Sequence, residues 1–181
     1  MSSRKQERLI LSERYRELAF EGTEVDRPAV LEDLRQALYA SKICAYAQGF
    51  NLLEEAGKVY GWDLQMGRIA KIWRSGCIIR ARFLYTVSEI FEKESGMTNL
   101  LASGYFSQVL YGARAGWGRI ISLAVERGAA IPALSSALAY FDSYRTARGS
   151  ANLLQTQRDC FGAHTYERID KEGAFHTDWM N

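Results

Sequence analysis

The residues best suited to bind an anion stand near the C-terminus, in the segment QRDCFGAHTYER at residues 157–168. Arg158 falls in the last turn of a predicted helix, and His164 follows just after that helix ends. An arginine offers a planar fork of donors that suits a phosphate or carboxylate, and a nearby histidine can add another donor. In the structural alternative, Arg158 complements the helix dipole and His164 bonds a carbonyl.

Two other segments carry cations among apolar and aromatic side chains. Lys42 lies in YASKICAYAQGF, where it could serve as a base of lowered pKa or lay its stem along a helix groove. The segment IWRSGCIIRAR holds Arg74, Arg80 and Arg82, for which pairing with nearby carboxylates is favoured over anion binding. Neither segment forms a self-sufficient catalytic set, so we predict no catalytic residue in this chain.

The counts of histidine and cysteine exclude several classes of metal site. The only two histidines, His164 and His176, cannot make a three-histidine site. The three cysteines are odd in number, far apart and without a CxxC pair, which argues against a disulfide framework or a zinc ribbon. We therefore expect no metal site, and free buried thiols at Cys44, Cys77 and Cys160.

The glycine pattern excludes a recognisable nucleotide-binding loop. The chain contains neither GxGxxG after a strand nor GxxxxGK[ST]. Gly112, Gly116 and Gly118 lie inside a helical pattern, which favours close helix packing over a phosphate loop. We therefore predict that these residues bind no cofactor.

Composition and charge narrow the possible partners. The 181 residues are 48% hydrophobic, which excludes a wholly disordered chain. With 23 Lys and Arg against 21 Asp and Glu, the net charge of +2 is too balanced to indicate a nucleic-acid or membrane-surface partner. No apolar run approaches the roughly 18 residues of a membrane span, and the charged start MSSRKQERLI is unlike a secretory signal. We therefore expect a cytoplasmic protein.

Apolar residues recur at intervals of three and four, and this period predicts an all-α fold. In the second helix we expect Asp26 to be the cap, Pro28 to lie in the first turn and Gly61 to end it. Asp63 is expected to cap the third helix, while the first offers Leu9, Ile10 and Leu18 for packing. The predicted helices span residues 3–19, 28–60, 64–73, 78–94, 105–127, 132–145 and 151–161.

The last segment, residues 163–181, follows Gly162 and has no helical period. It nevertheless carries Tyr166, Ile169, Phe175 and Trp179, an apolar content that disordered tails usually lack. These side chains must be buried against another surface, which belongs either to the same domain or to a second subunit. We predict an extended C-terminal arm without strands.

Four segments resemble the C-terminal helical domain of 6-phosphogluconate dehydrogenase, and the match runs in order along the chain. They are ALYASKICAYAQGFNLL (37–53), IWRSGCIIRARFL (72–84), ALAYFDSYR (137–145) and ANLLQTQRDCFGAHTYERIDKEGAFHTDW (151–179). The resemblance implies an all-α dimerisation and substrate domain at residues 1–162. It also implies a tail at residues 163–181 that reaches the partner subunit, and an N-terminal Rossmann domain that is absent here.

The resemblance further implies an activity for the full-length enzyme. Members of the family are homodimers of the pentose phosphate pathway that use NADP to oxidise 6-phosphogluconate, with loss of CO2 to give ribulose 5-phosphate. In the family's QRDYFGAH motif the Arg and His hold substrate in the partner's site, and here these are Arg158 and His164, with Cys160 in place of the Tyr.

The family's dinucleotide loop and its catalytic Lys and Glu precede the region that this chain covers. We therefore expect the chain alone to be inactive and to bind no NADP. The alternative is a non-catalytic helical dimerisation or binding module derived from the enzyme.

Overall fold

The computed structural model describes residues 2–18, 22, 24–94, 96–97 and 99–180. Within them the backbone forms seven α-helices and one two-stranded sheet, which confirms the predicted all-α class. None of these helices has both the length and the apolar run that a bilayer crossing requires. The elements are α1 (Lys5–Arg14), α2 (Arg27–Tyr60), α3 (Met66–Trp73), α4 (Leu84–Lys93), α5 (Gly104–Glu126), α6 (Pro132–Tyr144), α7 (Ala151–Gly162), β1 (Tyr166–Glu167) and β2 (Ala174–Phe175).

The chain divides into two compact units, Met1–Leu138 and Ala139–Asn181. The first unit holds α1 to α5 and the start of α6, and the second holds the end of α6, α7 and the two strands. The first is stabilised by apolar packing between helices, whereas hydrogen bonds to one buried carboxylate organise the second.

The core of the first unit is the contact between α2 and α5. Buried residues on α5 recur at intervals of four and three, which places them on one side of that helix. They are Phe106, Leu110, Ala113, Trp117, Ile120 and Ala124. The buried residues of α2 follow a similar period and include several alanines, which allow a close approach. They are Ala37, Ala40, Ile43, Cys44, Ala47 and Phe50.

A charged contact joins the same two helices. Arg119 on α5 donates Nε to Asp33 Oδ2 at 2.7 Å and Nη2 to Asp33 Oδ1 at 2.6 Å. These hydrogen bonds hold the pKa of Asp33 below its ordinary value of 3.8. Gly116 is buried beside this carboxylate, so that a Cβ there would lie 2.5 Å from Asp33 Oδ1. The close helix packing predicted for Gly116 is therefore confirmed, whereas nothing lies within 4 Å of a Cβ at Gly112.

The boundaries of α2 follow most of the predicted signals. Pro28 lies in its first turn, and Gly61 adopts a φ of +68° where the helix ends. Asp26 occupies the N-cap position, but its side chain makes no capping hydrogen bond. The first helix is shorter than predicted because α1 ends at Arg14 and a 3-10 turn follows. The predicted end at residue 19 lies outside the described residues.

The predicted starts of α3 and α4 are wrong. Gln65 occupies the N-cap of α3, so Asp63 does not cap it. Turns occupy most of residues 78–83, where a helix was predicted, and α4 begins only at Leu84. The carbonyl of Ile79 accepts a hydrogen bond from the Tyr46 hydroxyl on α2. A hydrogen bond from α2 thus reaches a carbonyl that would accept a backbone N–H if this segment were helical.

The apolar side chains of α1 and of the 3-10 turn that follows it remain exposed in the described chain. Leu9, Ile10 and Leu18 are 54%, 70% and 65% exposed, and no residue of α1 is buried. Any surface that covers them therefore lies outside the described residues of this chain.

The three cysteines differ in their surroundings. Cys44 is buried on α2, where burial raises the pKa of its thiol to about 12. Cys77 is half-buried and Cys160 is exposed. The prediction of a buried thiol is therefore confirmed for Cys44 and wrong for Cys160, because α7 turns the neighbouring Asp159 inward instead.

We expect Gly116→Ala to lower the free energy of unfolding by about 1–3 kcal/mol, because the added methyl group overpacks the α2–α5 contact and displaces Asp33 from Arg119. The matched control is Gly112→Ala on the same helix, which should raise it by up to about 1 kcal/mol through helix propensity. Urea denaturation of both variants measures the difference. Equal effects would show that the helices are not closely packed at Gly116.

Candidate functional site

Arg158 and His164 lie in the second unit, on α7 and in the turn that follows it. Both side chains are exposed. Arg158 stands one turn before the end of α7 and donates Nη1 to Gln155 Oε1 at 3.2 Å. Neither residue forms an ion pair among the described side chains. Their cationic or hydrogen-bonding groups therefore remain available to an anion.

The turn after α7 bends the chain sharply. Ala163 and Thr165 have φ values of +49° and +61°, in the left-handed region that residues other than glycine rarely adopt. Gly162 was predicted to stop the helix, but it is the last helical residue and the reversal occurs at Ala163. A Cβ at Gly162 would lie 2.8 Å from the His164 ring. The small size of Gly162 thus leaves room for the His164 ring beside the helix end.

The tail is tied to α7 by the carboxylate of Asp159, whose exposed fraction is 0%. The backbone N–H of Thr165 and Nδ1 of His176 both donate to Oδ1 at 2.9 Å. The backbone N–H of Thr177 and Nε1 of Trp179 donate to Oδ2 at 3.0 and 2.9 Å. Each oxygen thus accepts two hydrogen bonds, which nearly saturates an ionised carboxylate.

Two opposing effects act on the pKa of Asp159. Burial raises it, while hydrogen bonds from His176, Thr177, Trp179 and Thr165 lower it by more, so the pKa lies well below its ordinary value of 3.8. The carboxylate is therefore ionised at neutral pH and can only accept hydrogen bonds. It follows that His176 carries a hydrogen on Nδ1.

The tail also forms a small hairpin, which the prediction of an arm without strands missed. Tyr166 pairs with Phe175 and Glu167 with Ala174 in antiparallel register. The hydroxyls of Tyr166 and Thr177 lie 2.6 Å apart. Tyr166 and Phe175 are half-buried. Part of the predicted burial of the tail is thus achieved within its own unit.

A cleft of about 890 Å³ runs along α7 and the hairpin. His164 lines this cleft together with Arg148 and Arg168, whereas Arg158 does not. Arg168 donates Nε and Nη2 to the two oxygens of Asp170 at 2.8 and 2.6 Å, so its charge is largely compensated. The structure therefore brings His164 into the cleft and leaves Arg158 outside it.

The cations noted in the sequence outside this segment lie in the first unit, and two of them contact aromatic rings. Lys42 Nζ lies 5.8 Å from the centroid of Phe83, and the Arg74 guanidinium lies 4.4 Å from that of Tyr85. Such cation–π contacts explain both side chains without a catalytic role. Lys42 is exposed rather than buried, so it lacks the apolar surroundings that would favour a lysine base. Arg80 and Arg82 are likewise exposed.

No metal site emerges from the described ranges, where no group of three or more His, Cys, Asp and Glu side chains could hold an ion. The sequence interpretation missed Asp159 and His176, which organise the tail. One signal for Asp159 was present: a carboxylate near a helix C-terminus opposes the helix dipole, so it needs donors from elsewhere. No sequence signal identified those donors.

Comparison with known proteins places these features in context. The family model "6-phosphogluconate dehydrogenase, C-terminal domain" matches residues 1–179. The chain is similar to "6-phosphogluconate dehydrogenase, NADP(+)-dependent, decarboxylating" of Bacillus subtilis (strain 168), with 52% identity over 155 residues, which is 86% of this chain and 33% of the relative. It is 50% identical over 156 residues to "6-phosphogluconate dehydrogenase, decarboxylating 1" of Oryza sativa subsp. japonica, which is 86% of this chain and 32% of that relative.

Among solved structures, the chain is similar to a 6-phosphogluconate dehydrogenase of Plasmodium falciparum, described in its apo form and in complex with NADP+ and with 6-phosphogluconate. The TM-score is 0.84 at 34% identity, and the match covers 95% of this chain and 38% of that one. The present chain spans about a third of the length of the curated relatives that it matches.

The lowered pKa of Asp159 predicts how its contribution to the stability of the folded chain depends on pH. Its folded-state pKa lies below the unfolded value, so its contribution to stability is complete above about pH 5 and is lost as the pH falls below 4. At pH 6 we expect Asp159→Asn to lower the Tm by roughly 5 °C or more. The difference from wild type should shrink as the pH is lowered towards 2.

Thermal unfolding at a series of pH values measures this difference. Glu172→Gln is the matched control, because it removes an exposed carboxylate from the same tail. A Tm difference for Asp159→Asn that stays constant from pH 6 to pH 2 would contradict an ionised, hydrogen-bonded Asp159.

Proposed function

The chain belongs to the 6-phosphogluconate dehydrogenase family through its C-terminal domain, and from this premise we propose that it is the helical part of a decarboxylating, NADP-dependent enzyme. The complete enzyme would convert 6-phosphogluconate to ribulose 5-phosphate in the cytoplasm, as a step of the pentose phosphate pathway. The observation that carries the proposal is that Arg158 and His164 both stand at their motif positions in a chain matched from residue 1 to residue 179.

Arg158 and His164 are proposed to hold 6-phosphogluconate in the active site of a partner subunit, with Arg158 chiefly at the phosphate. Three observations support this role: both side chains are exposed, neither is neutralised by a carboxylate, and both belong to the same unit. An arginine fork matches the geometry of a phosphate. The contribution of this chain to catalysis would then be to orient the substrate.

The described residues do not fit a dinucleotide site. Such a site needs a glycine-rich loop between a parallel strand and a helix. Here the described sheet is a two-stranded antiparallel hairpin, and Gly116 lies inside α5 against Asp33. In this proposal NADP and the catalytic acid and base are supplied by another part of the enzyme, so the 181-residue chain alone is inactive.

The exposed apolar side chains of the second unit support the homodimer. On α7 the only buried residue is Asp159, while large apolar side chains of the unit are exposed. They are Tyr144, Leu153, Leu154, Phe161, Ile169 and Met180. A unit that buries a charge and exposes its apolar groups needs a further surface to cover them. We propose that a second copy of the chain supplies it, with residues 139–181 reaching the partner.

We expect the 181-residue chain to bind 6-phosphogluconate without reducing NADP. Arg158→Ala should weaken this binding about tenfold or more, because it removes a charge-assisted hydrogen-bonding group worth about 1.5–3 kcal/mol. Isothermal titration calorimetry measures the affinity, and the absorbance of reduced nicotinamide measures turnover. The matched control is Arg145→Ala, which removes an arginine that pairs with Asp142 in the same unit.

Three results would count against parts of this proposal. Turnover by the pure chain would show that cofactor and catalytic groups are present after all. Equal affinities of wild type and Arg158→Ala would remove Arg158 from the substrate site. A folded chain with no affinity for 6-phosphogluconate would favour the alternative of a non-catalytic dimerisation module.

We also expect deletion of residues 163–181 to lower the Tm and shift the chain towards monomer in sedimentation equilibrium, because the tail is proposed to cross the dimer interface. The control is Val59→Ser, which changes an exposed apolar residue near the end of α2 without touching the tail. A monomeric full-length chain whose Tm is unchanged by the deletion would contradict the dimer.

A further inference from the structure

The turn that carries His164 depends on Asp159 on both sides of the histidine. The backbone carbonyl of Asp159 accepts the N–H of Ala163 at 2.9 Å, and its carboxylate accepts the N–H of Thr165 at 2.9 Å. The backbone N–H groups of Ala163 and Thr165, the residues before and after His164, are thus both bonded to one residue of α7.

Gln155 adds a second link to the same turn. Its Nε2 donates to the carbonyl of Thr165 at 2.5 Å, while its Oε1 accepts Nη1 of Arg158 at 3.2 Å. A chain of hydrogen bonds therefore runs from the guanidinium of Arg158 through Gln155 to Thr165, and on to the buried carboxylate of Asp159. This network thus connects Arg158 to Thr165, the residue that follows His164.

The turn needs such support because its conformation is costly. Ala163 and Thr165 adopt positive φ values that are sparsely populated for residues with a side chain. Such a conformation persists only where surrounding contacts over-determine it. At Thr165 those contacts are the hydrogen bonds to Asp159 and Gln155. Loss of the carboxylate of Asp159 would remove one of them and release three tail donors as well.

We infer that Asp159 is a positioning residue for an anion site at His164 and Arg158, which holds the turn and the tail in the arrangement that presents His164 to a phosphate group. The inference rests on the proposed substrate role of Arg158 and His164. Asp159 itself is fully buried and touches no ligand in this role. Its effect on binding is exerted through the backbone of residues 163–165.

The direction in which Asp159→Asn changes the affinity for an anion distinguishes a positioning role from a direct effect of charge. Asp159 carries a negative charge next in sequence to Arg158, so removal of that charge by Asp159→Asn should tighten anion binding if charge alone mattered. Positioning predicts the opposite, because a disordered turn lowers the fraction of molecules competent to bind. If about a tenth of the molecules keep the ordered turn, the apparent affinity falls about tenfold.

The test is an NMR titration of the full chain with inorganic phosphate. Only two histidines are present, so the ring signals of His164 and His176 report separately on the anion site and on the contact with Asp159. We expect phosphate to shift the His164 signal in the wild type, and Asp159→Asn to raise the apparent Kd about tenfold. The matched control is Glu172→Gln, which removes an exposed carboxylate of the same tail that does not line the cleft of His164 and should leave binding unchanged.

A second variant covers the case in which Asp159→Asn does not fold. Trp179→Phe keeps an aromatic ring but removes one of the four donors to Asp159. It should weaken phosphate binding in the same direction and to a smaller extent. Phosphate binding as tight as in the wild type by each of these variants that folds would overturn the inference.

Hydrogen exchange of backbone amides distinguishes a failure of the positioning role of Asp159 from a failure of the proposed function. If phosphate does not shift His164 in the wild type, the proposed substrate site is wrong. The positioning role is then decided by the amide of Thr165, whose acceptor is the Asp159 carboxylate. Faster exchange at Thr165 in the variants, with α5 unchanged, supports it. Unchanged exchange at Thr165 refutes it.

Discussion

A carboxylate that is buried away from water needs hydrogen-bond donors from the protein. The need of Asp159 for such donors determines how the backbone of the tail is arranged. Asp159 is the only charged side chain that is buried in the described part of the molecule. Its four donors come from Thr165, His176, Thr177 and Trp179, which are spread over the whole tail. The hairpin, the reversal after α7 and the placement of His164 are all compatible with this one set of hydrogen bonds.

The two units are stabilised in contrasting ways. In the first unit α2 and α5 bury apolar residues along their length, and its charged contact between Asp33 and Arg119 lies at the edge of that packing. In the second unit the buried side chain is a carboxylate, while large apolar side chains such as Leu153, Leu154 and Phe161 are exposed. This inversion suits a segment whose function is exercised on another surface. A buried anion orders the backbone, and exposed Arg158 and His164 remain free to meet a ligand.

The sequence predicted those features that depend on local pattern. The recurrence of apolar residues at three and four predicts the helical class, and Gly61 marks the end of α2. The anion-binding role of Arg158 and His164 stays a prediction, made from residue type and from the resemblance to a known motif. The failures lie where a distant group decides. Most of residues 78–83 form turns in place of the predicted helix, and the Tyr46 hydroxyl of α2 donates a hydrogen bond to the carbonyl of Ile79 within them.

By itself, then, the sequence determined the helical class, the end of α2 at Gly61 and the identity of the exposed cations, because each follows from residues close together in the chain. Only the tertiary structure decided that Asp159 is buried and that His176 and Trp179 bind it. Those partners lie 17 and 20 residues away from Asp159. A hydrogen bond across such a separation leaves no periodic trace in a sequence, because it depends on where the folded chain returns rather than on local propensity.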